Sequence, residues 1–101
     1  MDRGTDNQMM KMIPEHMWGA IRRYVNQGIS PGGFARAVLE NNLTQAVNRA
    51  DAKNIQCIPQ WAHFVYEYLP SGCWGSREKV GNWINRGGLY GMDLENPDEA
   101  A

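Results

Sequence analysis

The sequence is poor in the groups that carry covalent and metal chemistry. It has two cysteines and two histidines in 101 residues. Cys57 and Cys73 form no CxxC pair, and none of Cys57, Cys73, His16 and His63 has the short spacing that marks a zinc site. Thiols used this way fit a reducing, cytoplasmic compartment. Residues 1–12 (MDRGTDNQMMKM) contain methionines but not the apolar run of a signal peptide. No stretch approaches the roughly 20 apolar residues needed to cross a bilayer, so no membrane role is expected. Period-two alternation, internal repeats and low-complexity runs are absent too.

Charge is also scarce. The formal net charge is −1. Nine basic and five acidic residues fall between 11 and 91, whereas Asp93, Glu95, Asp98 and Glu99 make the end acidic. A mildly basic body with acidic ends is too weak a field for a general nucleic-acid binder. It suits a small anionic ligand or a protein partner.

Catalytic arrangements are missing as well. His63, Asp51 and Ser76 are available, but no spacing joins them as base, orienter and nucleophile. Glu40, Glu67 and Glu78 have no evident partner for acid–base work. The Gly-rich nucleotide loop is not there. These absences predict a protein that is not an enzyme and needs no cofactor.

What is present is helical periodicity. Hydrophobic residues make up 43% of the chain, with four tryptophans among them. Met17, Trp18, Ile21, Tyr24 and Val25 form one apolar stripe after Pro14, and Gly28 is placed to end it. Ser30 and Pro31 read as the cap and first position of a second helix, with Phe34, Ala37 and Val38 facing inward. Asn42 can cap a third, in which Leu43, Ala46, Val47 and Ala50 repeat at three and four. Pro59 signals a kink or a restart near Ile58. Trp61, Phe64, Val65, Tyr68 and Leu69 then make a fourth stripe. Ser76 caps a fifth helix carrying Val80, Trp83 and Ile84, closed by Gly87 and Gly88. The expected fold is all-α, a compact bundle of four to five short helices. Residues 1–12 read as a flexible arm, 13–90 as the helical domain, and 91–101 as an acidic flexible tail.

Two helix starts stand out. Gly32 and Gly33 open a helix at a cost of about 0.5–1 kcal/mol each relative to alanine. Either a neighbouring backbone packs there or a ligand approaches the free amides. A first helical turn presents unpaired N–H donors and the positive end of the dipole. Arg36 follows on the next turn, and Arg22 and Arg23 end the preceding helix. The second start is Gly75–Ser76 with Arg77, preceded by Trp74, a tryptophan outside any helical stripe that could stack on a flat ring. The candidate ligand-binding set is therefore Arg22, Arg23, Gly32, Gly33, Arg36, Trp74, Gly75, Ser76 and Arg77. The stretch around Gly28 also suggests a helix-turn-helix. Tyr24 stands where that motif wants a small residue, Arg23 where it wants an apolar one, and a Pro-Gly-Gly opening presents few side chains to a groove. A DNA-binding regulator is thus the weaker alternative.

The series "GISPGGFARAVLENNL" (28–43), "NRADAKN" (48–54), "VYEYLP" (65–70) and "CWGSREKVGNWI" (73–84) resembles a family of small, largely uncharacterised phage and prophage proteins. The resemblance covers residues 13–90 and departs at Gly33, where a serine or other polar residue is expected. It implies an accessory protein acting inside an infected bacterial cell, in its cytoplasm, with counter-defence as the expected role. Two modes of action follow. One is sequestration of a small anionic signal of the cyclic nucleotide type, in a pocket shared between subunits of a homo-oligomer. The other is direct inhibition of a host or defence protein, as anti-CRISPR proteins do.

Overall fold

The structure is a computed structural model that describes the backbone of residues 1–95 and the side chains of residues 1–91. Among the described residues it is all-helical. Seven α-helices follow in order: α1 (Arg3–Met12), α2 (Trp18–Gln27), α3 (Gly33–Leu39), α4 (Leu43–Arg49), α5 (Ile58–Tyr68), α6 (Arg77–Arg86) and α7 (Gly88–Glu95). Single 3-10 turns precede α2, α5 and α6, at Glu15–Met17, Asn54–Cys57 and Ser71–Cys73. Among the described residues the expected four to five helices become seven because Arg3–Met12 and Gly88–Glu95 are helical as well.

The N-terminal segment is not a loose arm. Asp2 caps α1, its side chain accepting from the Thr5 N–H at 2.6 Å. Asp6 then accepts two hydrogen bonds from Arg22, from Nε at 2.6 Å and from Nη2 at 3.0 Å. Met9 is completely buried, and α1 lies against α5. At the other end, residues 91–95 of the expected tail belong to α7, which packs on α2 and α6. Residues 96–101 lie outside the described residues.

Local chemistry explains the middle elements. Gly28 ends α2 at φ 70°, and Gly87 ends α6 at φ 83°, a conformation that costs L-residues with a side chain about 1–2 kcal/mol. The Asn42 side chain caps α4 and that of Ser76 caps α6, accepting from Gln45 N–H and Lys79 N–H at 3.2 and 3.1 Å. Pro59 sits in the first turn of α5, where its missing N–H is not needed. The chain therefore restarts there after the 3-10 turn instead of kinking one long helix. Ser30 is not the cap of α3. Gly32 holds that position, and no side chain bonds the turn. The α4 stripe also departs from expectation. Ala46 is buried, but Leu43 is 67% exposed and Val47 43%.

The core gathers Ile21, Tyr24, Leu39, Trp61, Phe64, Val80 and Trp83. Each large ring with a polar handle has a partner, as buried rings require. Trp61 Nε1 donates to Asn54 Oδ1 at 3.0 Å, Trp83 Nε1 to the Tyr24 carbonyl at 3.0 Å, and the Tyr24 hydroxyl to the Cys73 carbonyl at 2.6 Å. Phe34 meets Trp61 edge-on, with centroids 5.3 Å apart. No helix among the described residues is long and apolar enough to cross a membrane.

Candidate functional site: an apolar cleft at Trp74

α3 and α4 form a helical hairpin turned at Asn41, which adopts φ 61°. Asparagine tolerates that left-handed geometry better than most residues. The turn is pinned from below: Asn41 N–H donates to the Val38 carbonyl and Asn42 N–H to the Ala37 carbonyl, at 3.1 and 2.9 Å. Between this end of the hairpin and α5 lies a cavity of about 110 Å³. Trp61 and Val65 form its floor, Val38, Ile58 and Ala62 its walls, and Trp74 one side of its mouth.

Trp74 is fixed on both sides. The residue before it, Cys73, receives the Tyr24 hydroxyl, and the residue after it, Gly75, donates its N–H to the Leu39 carbonyl at 2.8 Å. Tyr66 leans on the Trp74 ring edge-on, with centroids 5.9 Å apart and planes at 68°. Tyr66 itself is 71% exposed. On the α4 side Leu43 lines the hole and is 67% exposed, and Val47, one helical turn further on, is also open to solvent. Polar groups at its lip are uncharged: Asn41 and Asn42.

The residues expected to bind an anion do not converge. Arg22 is spent on Asp6 and lies 6.0 Å from the Trp18 ring centre. Arg36 donates from Nε to Glu40 at 2.9 Å and from Nη1 to the Ser30 hydroxyl at 3.0 Å. Gly75 has given its amide to Leu39, and Ser76 accepts from Lys79 N–H. Arg23 and Arg77 are exposed. Of the nine residues, Trp74 alone lines the cleft.

Gly32 and Gly33 keep part of their interest. A β-carbon at Gly32 would meet nothing within 4 Å, so backbone packing does not explain this glycine. At Gly33 the same atom would lie 3.4 Å from Arg49 Cδ and 3.5 Å from its Nη1. The uncapped start of α3 therefore sits beside the guanidinium of Arg49, a residue whose helical position reads as plain surface. This spot lies outside the cleft, about 7.5 Å along α3 from the lining residue Val38 at 1.5 Å per helical residue. The cleft residues contributed by α4 and α5, Leu43 and Ile58 above all, escaped the sequence because their spacing marks an apolar stripe without telling what covers it.

The titratable groups offer little catalysis. Burial pushes the Cys73 thiol up to about 12 and also raises that of Cys57. Neither is a thiolate nucleophile near neutral pH. His16 Nε2 lies 2.8 Å from Asp51 Oδ2, both exposed. The Asn54 N–H, and after it His16, hold the Asp51 carboxyl below its ordinary value. This pair fastens the turn before α2 to the loop after α4. Among the described residues no three His, Cys, Asp or Glu side chains are grouped to hold a metal. What the cleft can do is receive one bulky apolar group while the exposed ring around it makes flat contact. No family model, no curated protein and no solved structure matches this chain.

Proposed function

We propose that this chain is a non-enzymatic accessory protein that acts by binding another protein directly, through the Trp74 cleft and the apolar ring around it. The observation that carries this reading is the pairing of a small apolar hole with Leu43, Val47 and Tyr66 exposed beside it. A small ligand filling about 110 Å³ touches Leu43 but leaves Val47 and Tyr66, which do not line the cavity, in water. A protein surface that inserts one side chain covers them as well, which is how interface hot spots are built. The phage setting, with a host or defence protein as the target, rests on the resemblance over residues 13–90.

Sequestration of a small anion is the second reading. One observation favours it: the uncapped α3 turn beside Arg49. A cyclic nucleotide bound there does not need the cleft.

One set of measurements separates the two. Immobilised protein is used to capture targets from bacterial lysate, and a captured protein is identified, purified and titrated back. Leu43→Asp and Trp74→Ala are expected to weaken that binding by about 2 kcal/mol or more each, the hot-spot range. Equal binding by both variants would remove the cleft from consideration. In parallel, a cyclic nucleotide panel is tested by thermal shift. A ligand at 100 times its Kd stabilises a fold by about 2.7 kcal/mol. Such a shift, lost in Arg49→Ala and kept in Leu43→Asp, would replace the protein-binding reading by the anion reading.

A further inference from the structure

We propose that Asp51, an exposed residue outside the Trp74 cleft, positions the cleft's floor and wall by acting through Asn54 and the turn that leads into α5. The inference rests on the reading above, because the surface it shapes is the one assigned to target binding. Asp51 touches no target and is a positioning residue only.

The connection is a chain of hydrogen bonds that runs from solvent to a buried indole. Trp61, the floor of the cleft, donates its Nε1–H to Asn54 Oδ1 at 3.0 Å, and both residues are buried. Asn54 opens the 3-10 turn Asn54–Cys57, and Lys53, at the cap position of that turn, gives it no side-chain bond. Asp51 holds it instead. Its Oδ1 accepts from the Asn54 N–H at 2.8 Å and from the Lys53 N–H at 3.1 Å. Its carbonyl accepts from the Ile55 N–H at 2.9 Å. Three successive amides thus rest on one residue. A 3-10 turn has poor hydrogen-bond geometry of its own, so whatever holds its opening decides where it stands. α5 begins directly after it, at Ile58. Ile58 and Trp61 are three residues apart, neighbours on the helix surface, and both line the cleft. A shift of the turn therefore moves wall and floor together.

Asp51 is itself fixed from elsewhere in the fold. Its other oxygen, Oδ2, lies 2.8 Å from Nε2 of His16, in the 3-10 turn before α2. One carboxylate oxygen serves the turn before α5, and the other serves a segment 35 residues away. The Asp51 side chain is 53% exposed, and an exposed pair of this kind adds little to stability. What it adds is position.

The test reads the indole N–H signals of the full, isotope-labelled chain by nuclear magnetic resonance. Asp51→Ala is expected to fold, because the residue is exposed, and to move the Trp61 signal. The Trp83 signal is expected to stay in place, since the Tyr24 carbonyl holds that indole. Asp51→Asn keeps an acceptor oxygen for the turn and is expected to leave the Trp61 signal at its wild-type position. A substitution that only lowers stability leaves the signals of the folded state where they are. Benzene, a ligand of apolar protein cavities, then probes the cleft through the methyl signals of Ala62 and Val65. Its dissociation constant is expected to rise severalfold in Asp51→Ala and to match wild type in Asp51→Asn. A Trp61 signal unmoved by Asp51→Ala would overturn the proposal. So would a measurable benzene affinity that is equal in Asp51→Ala and wild type, or an Asp51→Asn variant that behaves as Asp51→Ala does. Wild type that takes up no benzene would instead defeat the reading of the preceding section, and the Trp61 comparison would stand.

Discussion

A single buried carboxamide decides where the floor of the cleft stands. Asn54 is 1% exposed and is the one buried polar residue among the described core, with its Oδ1 receiving the Trp61 indole. Asn54→Ala leaves that N–H buried and unpaired, which costs about 1–3 kcal/mol. Urea denaturation should show a loss in that range, and a loss near zero would mean the indole finds another acceptor. Asp6 supplies a second residue-scale prediction. The Arg22 guanidinium beside it holds its carboxyl below the ordinary 3.8, so the folded state binds its proton less readily than the unfolded chain. The resulting stability is present in full above the ordinary value and disappears as pH falls through the lower folded one. The pair is half open to water, so Asp6→Asn should cost no more than about 1 kcal/mol at neutral pH. The gap between variant and wild type should close on acidification below about pH 4.

At the scale of elements, the glycines divide into those the backbone demands and those it does not. Gly88 has φ 68°, and a β-carbon there would stand 2.6 Å from the Gly28 nitrogen. Gly88→Ala must push α7 off α2, and its thermal midpoint should fall by more than the left-handed strain of about 1–2 kcal/mol alone explains. Gly32 is the opposite case, with φ −62° and open space around it. Gly32→Ser supplies the missing cap and should raise stability by a few tenths of a kcal/mol. A fall in the melting midpoint would mean that the α3 start is built differently. The helices that are legible in the sequence, α2 to α6, announce themselves by stripe and by stop or cap: Gly28, Asn42, Pro59, Ser76. Those that are not lack such marks. In α1 the apolar residues crowd into the second half, and the stabilising partner of Asp6 is an arginine 16 residues away. In α7 the first residue is a glycine following another glycine, a pair that reads as an ending. Trp74 could be singled out because it breaks the helical pattern. The arginines around it could not be placed, because whether a guanidinium is spent on a carboxylate is settled by tertiary contact.

Taken as a whole, the molecule shares Trp61 and Val65 between core and cleft but keeps the exposed rim of the cleft apart from the core. The core rests on Tyr24, Trp61, Phe64 and Trp83, whereas Leu43, Val47 and Tyr66 touch it only from outside. Substitutions at the cleft's rim should therefore separate binding from stability. Leu43→Asp and Tyr66→Ala are expected to shift the thermal midpoint little, since exposed positions change stability by about 0.5 kcal/mol or less. A large drop in either midpoint would show that the rim belongs to the core. The meeting of Gly28 with Gly88 has a consequence for biosynthesis. Residues near the beginning of the chain acquire their neighbours only when residues near its end have been made, and the Trp83 indole reaches back to Tyr24 across the same gap. A ribosome-bound fragment that stops short of α6 leaves Tyr24 without the Trp83 indole that caps its carbonyl. Messages interrupted before that point should yield peptides that cellular proteases remove, while the complete product resists them.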